Sequence, residues 1–166
     1  MKRFKLLTIL FIGIVILSGC SKTKKSITAQ EFYEAADKQG IVVRDLSQQY
    51  GIAKKAYQSE NNDNKYSILF IEGNSINEMQ NMFYDEAKNI YAKAGIKDQY
   101  DSQEAGKLTT KAPKKYVLSG KNWESLEVAT DNKYYYLIFI DETLLYIESN
   151  NDNKDLVNKL KDTIKY

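Results

Sequence analysis

The sequence predicts an α+β domain in which amphipathic helices pack against an antiparallel β-meander. Short apolar segments follow one another along the chain, and Asn, Asp or Gly residues separate them, as is typical of strands joined by turns. Three other segments carry apolar residues at helical spacing behind residues that favour helix starts. Consecutive strands followed by single helices indicate an antiparallel sheet with helices packed on it.

The first helix is predicted from a capping box at Thr28-Ala29-Gln30-Glu31. In such a box the Thr28 side chain caps the helix start and the Glu31 side chain bonds back to the backbone of Thr28. Gly40 supplies the end of this helix, because glycine adopts the left-handed conformation that helix termini favour.

The second helix is predicted to begin at a further box, Ser75 to Glu78, and to end near Gly95. Its apolar stripe comprises Ile76, Met79, Phe83, Ala87, Ile90 and Ala94. The third helix is predicted to be capped by Asn151 or Asp152 and to bury Leu156, Val157, Leu160 and Ile164. Such stripes indicate core faces.

Seven strands are predicted between these helices, at residues 41–43, 54–59, 65–71, 115–118, 122–129, 133–140 and 143–148. The segments 65–71 and 133–140 are apolar at nearly every position, whereas a strand with one solvated face would alternate with polar residues. Both are therefore predicted to be central strands with both faces covered. Either the three helices are divided between the faces, or one face stays open as an aromatic surface.

The segments 63–71 and 131–140 also resemble each other, since each begins with Asp-Asn-Lys-Tyr and continues as an apolar strand. A decayed duplication of a strand–strand–helix unit explains this similarity, and convergent hairpin chemistry explains it equally well. Residues 96–114 show no sustained period, and a short helix or turn is expected there around residues 98–105.

The N-terminus has the pattern of an export signal. Three of the first five residues are cationic, and a twelve-residue apolar run from Leu6 to Leu17 follows them. A helix of that length spans about 18 Å, which is too short for the ~30 Å hydrocarbon core of a bilayer. A basic start, a short apolar middle and small residues after it predict a cleaved signal and not a membrane-spanning helix.

The segment Leu17-Ser18-Gly19-Cys20 resembles the lipobox of bacterial lipoprotein precursors. The resemblance implies cleavage before Cys20 and diacylglycerylation of its thiol, with the lipid holding the protein on the membrane. It divides the chain into a signal peptide at 1–19, a lipidated cysteine with a short tether at 20–27, and a single extracytoplasmic domain at 28–166. The alternative is an ordinary secretory signal in which Cys20, the only cysteine, is accidental.

Removing the signal changes the charge of the chain. The signal holds three of the 24 cations and none of the 22 acids, so the exported side chains sum to a net charge of −1. A nearly neutral domain argues against a nucleic-acid partner.

The cations are 22 lysines and only two arginines, a usage that suits an AT-rich Gram-positive genome. The predicted location is the extracytoplasmic side of the cell membrane.

The residue types that commonly carry catalysis are absent or have another predicted role: there is no histidine, and the only cysteine is the predicted lipidation site. The chain contains no histidine, which excludes Ser-His and Cys-His nucleophile pairs and histidine-ligated metals. No glycine-rich phosphate loop occurs. Two pairs of acids remain as candidates for carboxylate chemistry, Asp141 with Glu142 and Glu124 with Glu127. No catalytic residue, metal ligand or cofactor is predicted.

Two repeated Asn-Asn-Asp-Asn stretches, at 61–64 and 150–153, offer oxygen ligands for calcium. Neither has the alternating acids and distal Glu of a calcium loop, and turn and helix-cap chemistry accounts for both.

Aromatic residues provide the candidate binding surface. Trp123, Tyr135 and Tyr136 lie on strands predicted to be neighbours, and together they could form one face for a sugar, peptide or protein. Ordinary packing within the sheet is the competing interpretation.

These observations predict a membrane-anchored extracytoplasmic lipoprotein that acts without catalysis, as a binding or accessory module for a protein, peptide or envelope glycan. One alternative is a carboxylate-based hydrolase of cell-wall glycan. Another is a structural subunit that steadies a larger membrane complex.

The Cys20→Ser variant tests the predicted anchor. Replacing the thiol with a hydroxyl should abolish incorporation of radiolabelled palmitate, because the acyl chains are attached through sulfur. The Ser18→Ala variant keeps a small residue in the lipobox and should retain the label. Unchanged labelling of Cys20→Ser would contradict the lipoprotein assignment.

Overall fold

Seven antiparallel strands form one sheet in the computed structural model, which describes residues 23–59, 65–96 and 114–166. The strands are β1 (Val43–Asp45), β2 (Ala53–Ser59), β3 (Tyr66–Gly73), β4 (Lys114–Ser119), β5 (Trp123–Ala129), β6 (Lys133–Ile140) and β7 (Thr143–Asn150). Their order across the sheet is β1-β2-β3-β7-β6-β5-β4. The helices are α1 (Ala29–Lys38), α2 (Ile76–Ala94) and α3 (Lys154–Ile164).

The predicted α+β class is confirmed, and most predicted bounds agree with these elements to within two residues. Three predictions fall outside the described residues: the signal peptide with its lipobox, the turn at residues 61–64 and the short helix around residues 98–105.

Helix α1 begins and ends as the sequence predicts. The Glu31 N–H donates to Thr28 Oγ1 at 3.2 Å, and the Thr28 N–H donates to Glu31 Oε2 at 2.7 Å, which completes the capping box. At the other end, Gly40 has a φ of +68°. The Ile41 N–H donates to the carbonyl of Ala36. This hydrogen bond spans six residues and forms the Schellman motif that is typical of helix ends.

This helix end accounts for a strand that begins two residues later than the predicted strand at residues 41–43. Ile41 is drawn into the core beneath α1, whereas Val42 is exposed, so neither residue extends the ladder. Pairing with β2 begins only at Val43, which lies opposite Ser59. The first strand is therefore shifted two residues along the chain.

Helix α2 confirms most of its predicted stripe. The Ser75 side chain accepts a hydrogen bond from the Glu78 N–H at 3.3 Å, and Gly95 ends the helix with a φ of +68°. The middle of the stripe is buried, but Ile76 is 39% exposed because it lies in the first turn, beyond the edge of the packed surface. Tyr91, which the stripe omitted, is buried.

The predicted cap of α3 is wrong. A short 3₁₀ turn at Asn151–Asn153 precedes the helix, and Asn153 takes the N-cap position, where its side chain makes no capping hydrogen bond to the helix. The Asn151 amide donates instead to the carbonyls of Thr130 and Asp131, at 3.1 and 2.7 Å. It thereby satisfies two backbone acceptors of the β5–β6 turn.

The helices are divided between the two faces of the sheet, as one of the two sequence-based alternatives requires. Helices α1 and α3 share one core with Phe70, Tyr136 and Ile138, and α2 forms the other core with Leu137 and Phe139. In β6 every residue after Lys133 is buried, which confirms that this strand is central. Strand β3 is also interior, between β2 and β7.

The two similar segments contribute β3 and β6, which both pair with β7 and therefore run parallel to each other. The helix after β3 packs on one face of the sheet, whereas the helix after β7 packs on the other. The similarity of the strands thus does not extend to equivalent positions for the helices.

Stability measurements distinguish the buried part of the α2 stripe from its exposed end. Phe83 is fully buried against Phe139, so Phe83→Ala should lower the free energy of unfolding by about 3–5 kcal/mol. The matched Ile76→Ala should lower it by about 1 kcal/mol or less, because that side chain is partly solvated. Urea denaturation of the unlipidated chain without its predicted signal peptide measures both values, and equal losses would contradict this assignment of the core.

Candidate functional site

The segment that follows the predicted lipidation site lies against one end of the sheet. This end, which we call the Asn122 end, contains the β4–β5 and β6–β7 turns and the start of α1. The Asn122 amide donates to the Lys24 carbonyl at 2.8 Å, and the Lys24 N–H donates to Asn122 Oδ1 at 3.2 Å. Of the predicted tether, residues 24–27 are therefore held on the domain.

Asn122 can act in this way because both turns fix its position. Its side-chain amide also donates to Asp141 Oδ1 at 2.9 Å, and its backbone carbonyl accepts from the Asp141 N–H at 2.9 Å. Asp141 has a φ of +51°, a left-handed conformation that Asp tolerates better than most residues. The two neighbouring turns and the N-terminal segment thus meet at one side chain.

The side chain of Lys24 strengthens this contact. Its ammonium group lies 4.8 Å from the centroid of the Trp123 ring, within the range of a cation–π interaction. Burial lowers the pKa of Lys24 from its ordinary value. Lys24 is thereby positioned by its backbone and by its side chain.

Further contacts continue along the segment. Ile27 packs against the core shared by α1 and α3. Burial raises the pKa of Tyr166 to about 12, although its hydrogen bonds with the Thr143 side chain and with the Ile27 backbone act in the opposite direction. Glu72 Oε2 accepts from the Ala29 N–H at 2.8 Å, so that β3 also holds the start of α1.

A cleft of about 430 Å³ opens between α1, the end of α3 and this docked segment, and we call it the α1–α3 cleft. Four of its lining side chains are lysines and two are glutamates, which gives it a net positive charge. Its lining comprises Lys24, Lys25, Ser26, Ile27, Glu31, Glu34, Ala35, Lys38, Thr163, Ile164 and Lys165. A concave cationic surface of this size suits an anionic group.

The acid pair Asp141 and Glu142 lines a second cleft of about 420 Å³ at the same end, together with Glu72. The proximity of Glu72 to this pair could not be predicted from the sequence, because β3 and the β6–β7 turn are neighbours only in the folded sheet. Each carboxylate has a partner within the fold. Glu142 is paired with Lys54 at 2.8 Å, while Asp141 and Glu72 accept the hydrogen bonds from Asn122 and Ala29.

The other candidate acids do not converge. Glu124 is buried on the α2 face, where it accepts a hydrogen bond from the Tyr84 hydroxyl at 3.1 Å, and burial raises its pKa. Glu127 lies on the opposite face, 3.7 Å from the Lys161 ammonium of α3. Residues three apart on a strand point to opposite sides, so one cleft cannot contain both.

The three candidate aromatic residues do not share a face, which corrects the arrangement considered from the sequence. Trp123 and Tyr136 pack in the α1/α3 core, whereas Tyr135 packs in the α2 core. The reason is the alternation of a strand, which sends adjacent residues to opposite sides. All three side chains are buried, with exposures of 4–8%.

Lys161 is a largely buried lysine whose contacts the sequence does not indicate. Its ammonium group donates to the Tyr134 hydroxyl at 3.0 Å and lies 3.6 Å from the centroid of the Tyr136 ring. Burial lowers its pKa, although nearby Glu127 opposes the shift. The sequence feature that could have indicated its burial is its position beside Leu160 and four residues after Val157, on the buried side of α3.

The second Asn-rich stretch uses its amides within the fold. Besides the two bonds of Asn151, the Asn153 amide donates to the Lys65 carbonyl at 3.4 Å. Across residues 23–59, 65–96 and 114–166, no group of three or more Cys, Asp or Glu side chains has the geometry of a metal site.

Comparison with known proteins gives little similarity. No family model matches the chain, and no curated protein matches it. A crystal structure of a GTP binding regulator from Thermotoga maritima is similar at 13% identity and a TM-score of 0.43, over 87% of this chain and 92% of that one. A likeness at this level assigns no function to the chain.

The Asn122→Ala variant tests the docked segment. It removes three side-chain hydrogen bonds and should lower the free energy of unfolding by about 1–3 kcal/mol. Trypsin should also cleave after Lys24 and Lys25 faster, as mass spectrometry can measure. Asn132→Ala, an exposed asparagine in the β5–β6 turn, is the matched control. Equal cleavage rates in both variants would show that Asn122 does not hold the segment.

Proposed function

We propose that this chain is a membrane-anchored extracytoplasmic lipoprotein that serves as a non-catalytic binding or accessory module. The observation that carries the proposal is the sequence Leu17-Ser18-Gly19-Cys20, placed directly after a basic start and a short apolar run. Lipid on Cys20 would hold the domain on the outer surface of the cell membrane. Its partner would be a protein, a peptide or an envelope glycan close to that membrane.

The docked segment supports this role for Cys20, because the fold begins close behind it. Lys24 is already bound to Asn122, so only three residues separate a lipidated cysteine from the domain. Among the helices formed by the described residues, none is both long and apolar enough to span a bilayer.

The surface of the domain favours a polar partner. Three large hydrophobic side chains are exposed among the described residues, and they lie on three different parts of the chain: Tyr33 on α1, Val42 before β1 and Ile76 at the start of α2. The aromatic residues of the central strands are used in the two cores. Recognition is therefore expected to rely on charged and hydrogen-bonding groups at the ends and edges of the sheet.

One observation favours the alternative of a glycan hydrolase. Asp141, Glu142 and Glu72 line a common cleft, and glycoside hydrolysis needs two carboxylates that flank one bond. Their existing partners in the fold favour a structural role for these acids. Binding without catalysis thus remains the better-supported proposal.

Assays on purified cell-wall glycan and on intact membranes test the proposal together. We expect the lipidated protein to be crosslinked in intact membranes to a defined neighbouring protein or glycan, and the unanchored Cys20→Ser variant to lose that crosslink. The lipidated protein should release no new reducing ends from the glycan.

Release of reducing ends that Glu142→Gln or Asp141→Asn abolishes would establish the hydrolase instead. Asp85→Asn, which changes an exposed acid on α2, is the matched control and should have no effect on either assay.

A further inference from the structure

We infer that the Asn122 end is a docking surface for anionic phospholipid headgroups, and that the α1–α3 cleft receives the headgroup phosphate. This inference deepens the proposed function and rests on the lipid anchor at Cys20. It assigns the domain a fixed orientation on the bilayer, in which the Asn122 end faces the membrane.

The first support is the short reach of the chain between the anchor and the fold. Four residue steps separate Cys20 from Lys24, and a fully extended chain covers at most about 14 Å in four steps. Because Asn122 holds the backbone of Lys24, this distance also limits how far the end of the sheet can move from the bilayer surface. A flexible tether would not restrict the orientation in this way.

The second support is the charge of the surface that this tether turns toward the membrane. The cleft is lined by Lys24, Lys25, Lys38 and Lys165, and the exposed Lys121 lies on the β4–β5 turn at the same end. Of the two glutamates in the cleft, Glu31 is turned onto Thr28, whose backbone N–H and hydroxyl it binds. Within this cleft the four lysines therefore outnumber the acids that face the opening. The three acids of the second cleft at the same end, Glu72, Asp141 and Glu142, are each bound within the fold, by the Ala29 N–H, by Asn122 and by Lys54.

The third support is the match between this cleft and its proposed occupant. A volume of about 430 Å³ is within the range of small-ligand sites and accommodates a phosphate with its glycerol moiety. The anchor holds the cleft beside a dense layer of headgroups, so their effective concentration exceeds that of any dissolved phosphate. Each lysine near an anionic surface adds about fivefold to the affinity.

Trp123 offers a direct probe, since it is the only tryptophan in the chain and lies at the Asn122 end. The lipidated protein is reconstituted into vesicles that carry a trace of dansyl-labelled headgroup. Energy transfer from Trp123 to dansyl is then compared between phosphatidylcholine vesicles and vesicles that also contain phosphatidylglycerol. We expect higher transfer with phosphatidylglycerol and a loss of the difference at high salt.

Charge reversal identifies the residues responsible. Lys25→Glu with Lys165→Glu removes two exposed lysines of the cleft and should lower the ratio of docked to undocked protein by about 30-fold or more. Transfer should then fall to the phosphatidylcholine value. The matched control, Lys88→Glu with Lys114→Glu, changes two exposed lysines on α2 and at the opposite end of the sheet, and should retain the wild-type response.

Separate outcomes identify which claim fails. Palmitate incorporation without any effect of phosphatidylglycerol would overturn the docking surface and leave the anchor intact. Loss of the response in the control variant as well would overturn the role of the cleft. If inorganic phosphate at constant ionic strength abolished the response, the site would bind dissolved phosphate, and the assignment to lipid would be wrong.

Discussion

The structure depends on a central strand that is apolar on both sides. In β6 every side chain after Lys133 is buried, and adjacent residues enter different cores. Each face of the sheet therefore has to be covered, because uncovered apolar surface of that extent is unfavourable in water. One long helix, α2, covers one face, and the pair α1 and α3 covers the other.

This arrangement determines where binding can take place. With both broad faces occupied by helices, the ends and edges of the sheet are the surfaces that remain for a partner. The Asn122 end combines two turns, the start of α1, the end of α3 and the docked residues 24–27. Those same residues begin four positions after the predicted lipidated cysteine. The fold thereby places two clefts lined by charged residues beside the proposed point of attachment.

Much of the fold could be predicted from the sequence because its signals are local. The Thr28 capping box, the Gly95 helix end and the apolar stripe of α2 each involve residues less than twenty positions apart. The two-sided character of β6 was likewise visible in its composition. The predicted shared face of Tyr135 and Tyr136 is wrong for an equally local reason, since adjacent residues of a strand point to opposite faces.

The candidate site could not be predicted, since it is built from long-range contacts. Asn122 and Lys24 lie 98 positions apart, and neither residue type marks such a contact in a sequence. The pairing of β3 with β7 likewise joins two separate meanders and brings Glu72 beside Glu142. Sequence patterns indicate periodicity and turns, whereas these contacts depend on which strands are neighbours in the folded sheet.

The central claim is that residues 24–27 are part of the folded domain and not a free tether. Nuclear magnetic resonance of the chain without its predicted signal peptide tests this most directly through the side chain of Lys24. Because its ammonium group lies over the Trp123 ring, its methylene protons should be shifted upfield and should show Overhauser contacts to the indole. Random-coil shifts for Lys24, without contacts to Trp123, would contradict the account.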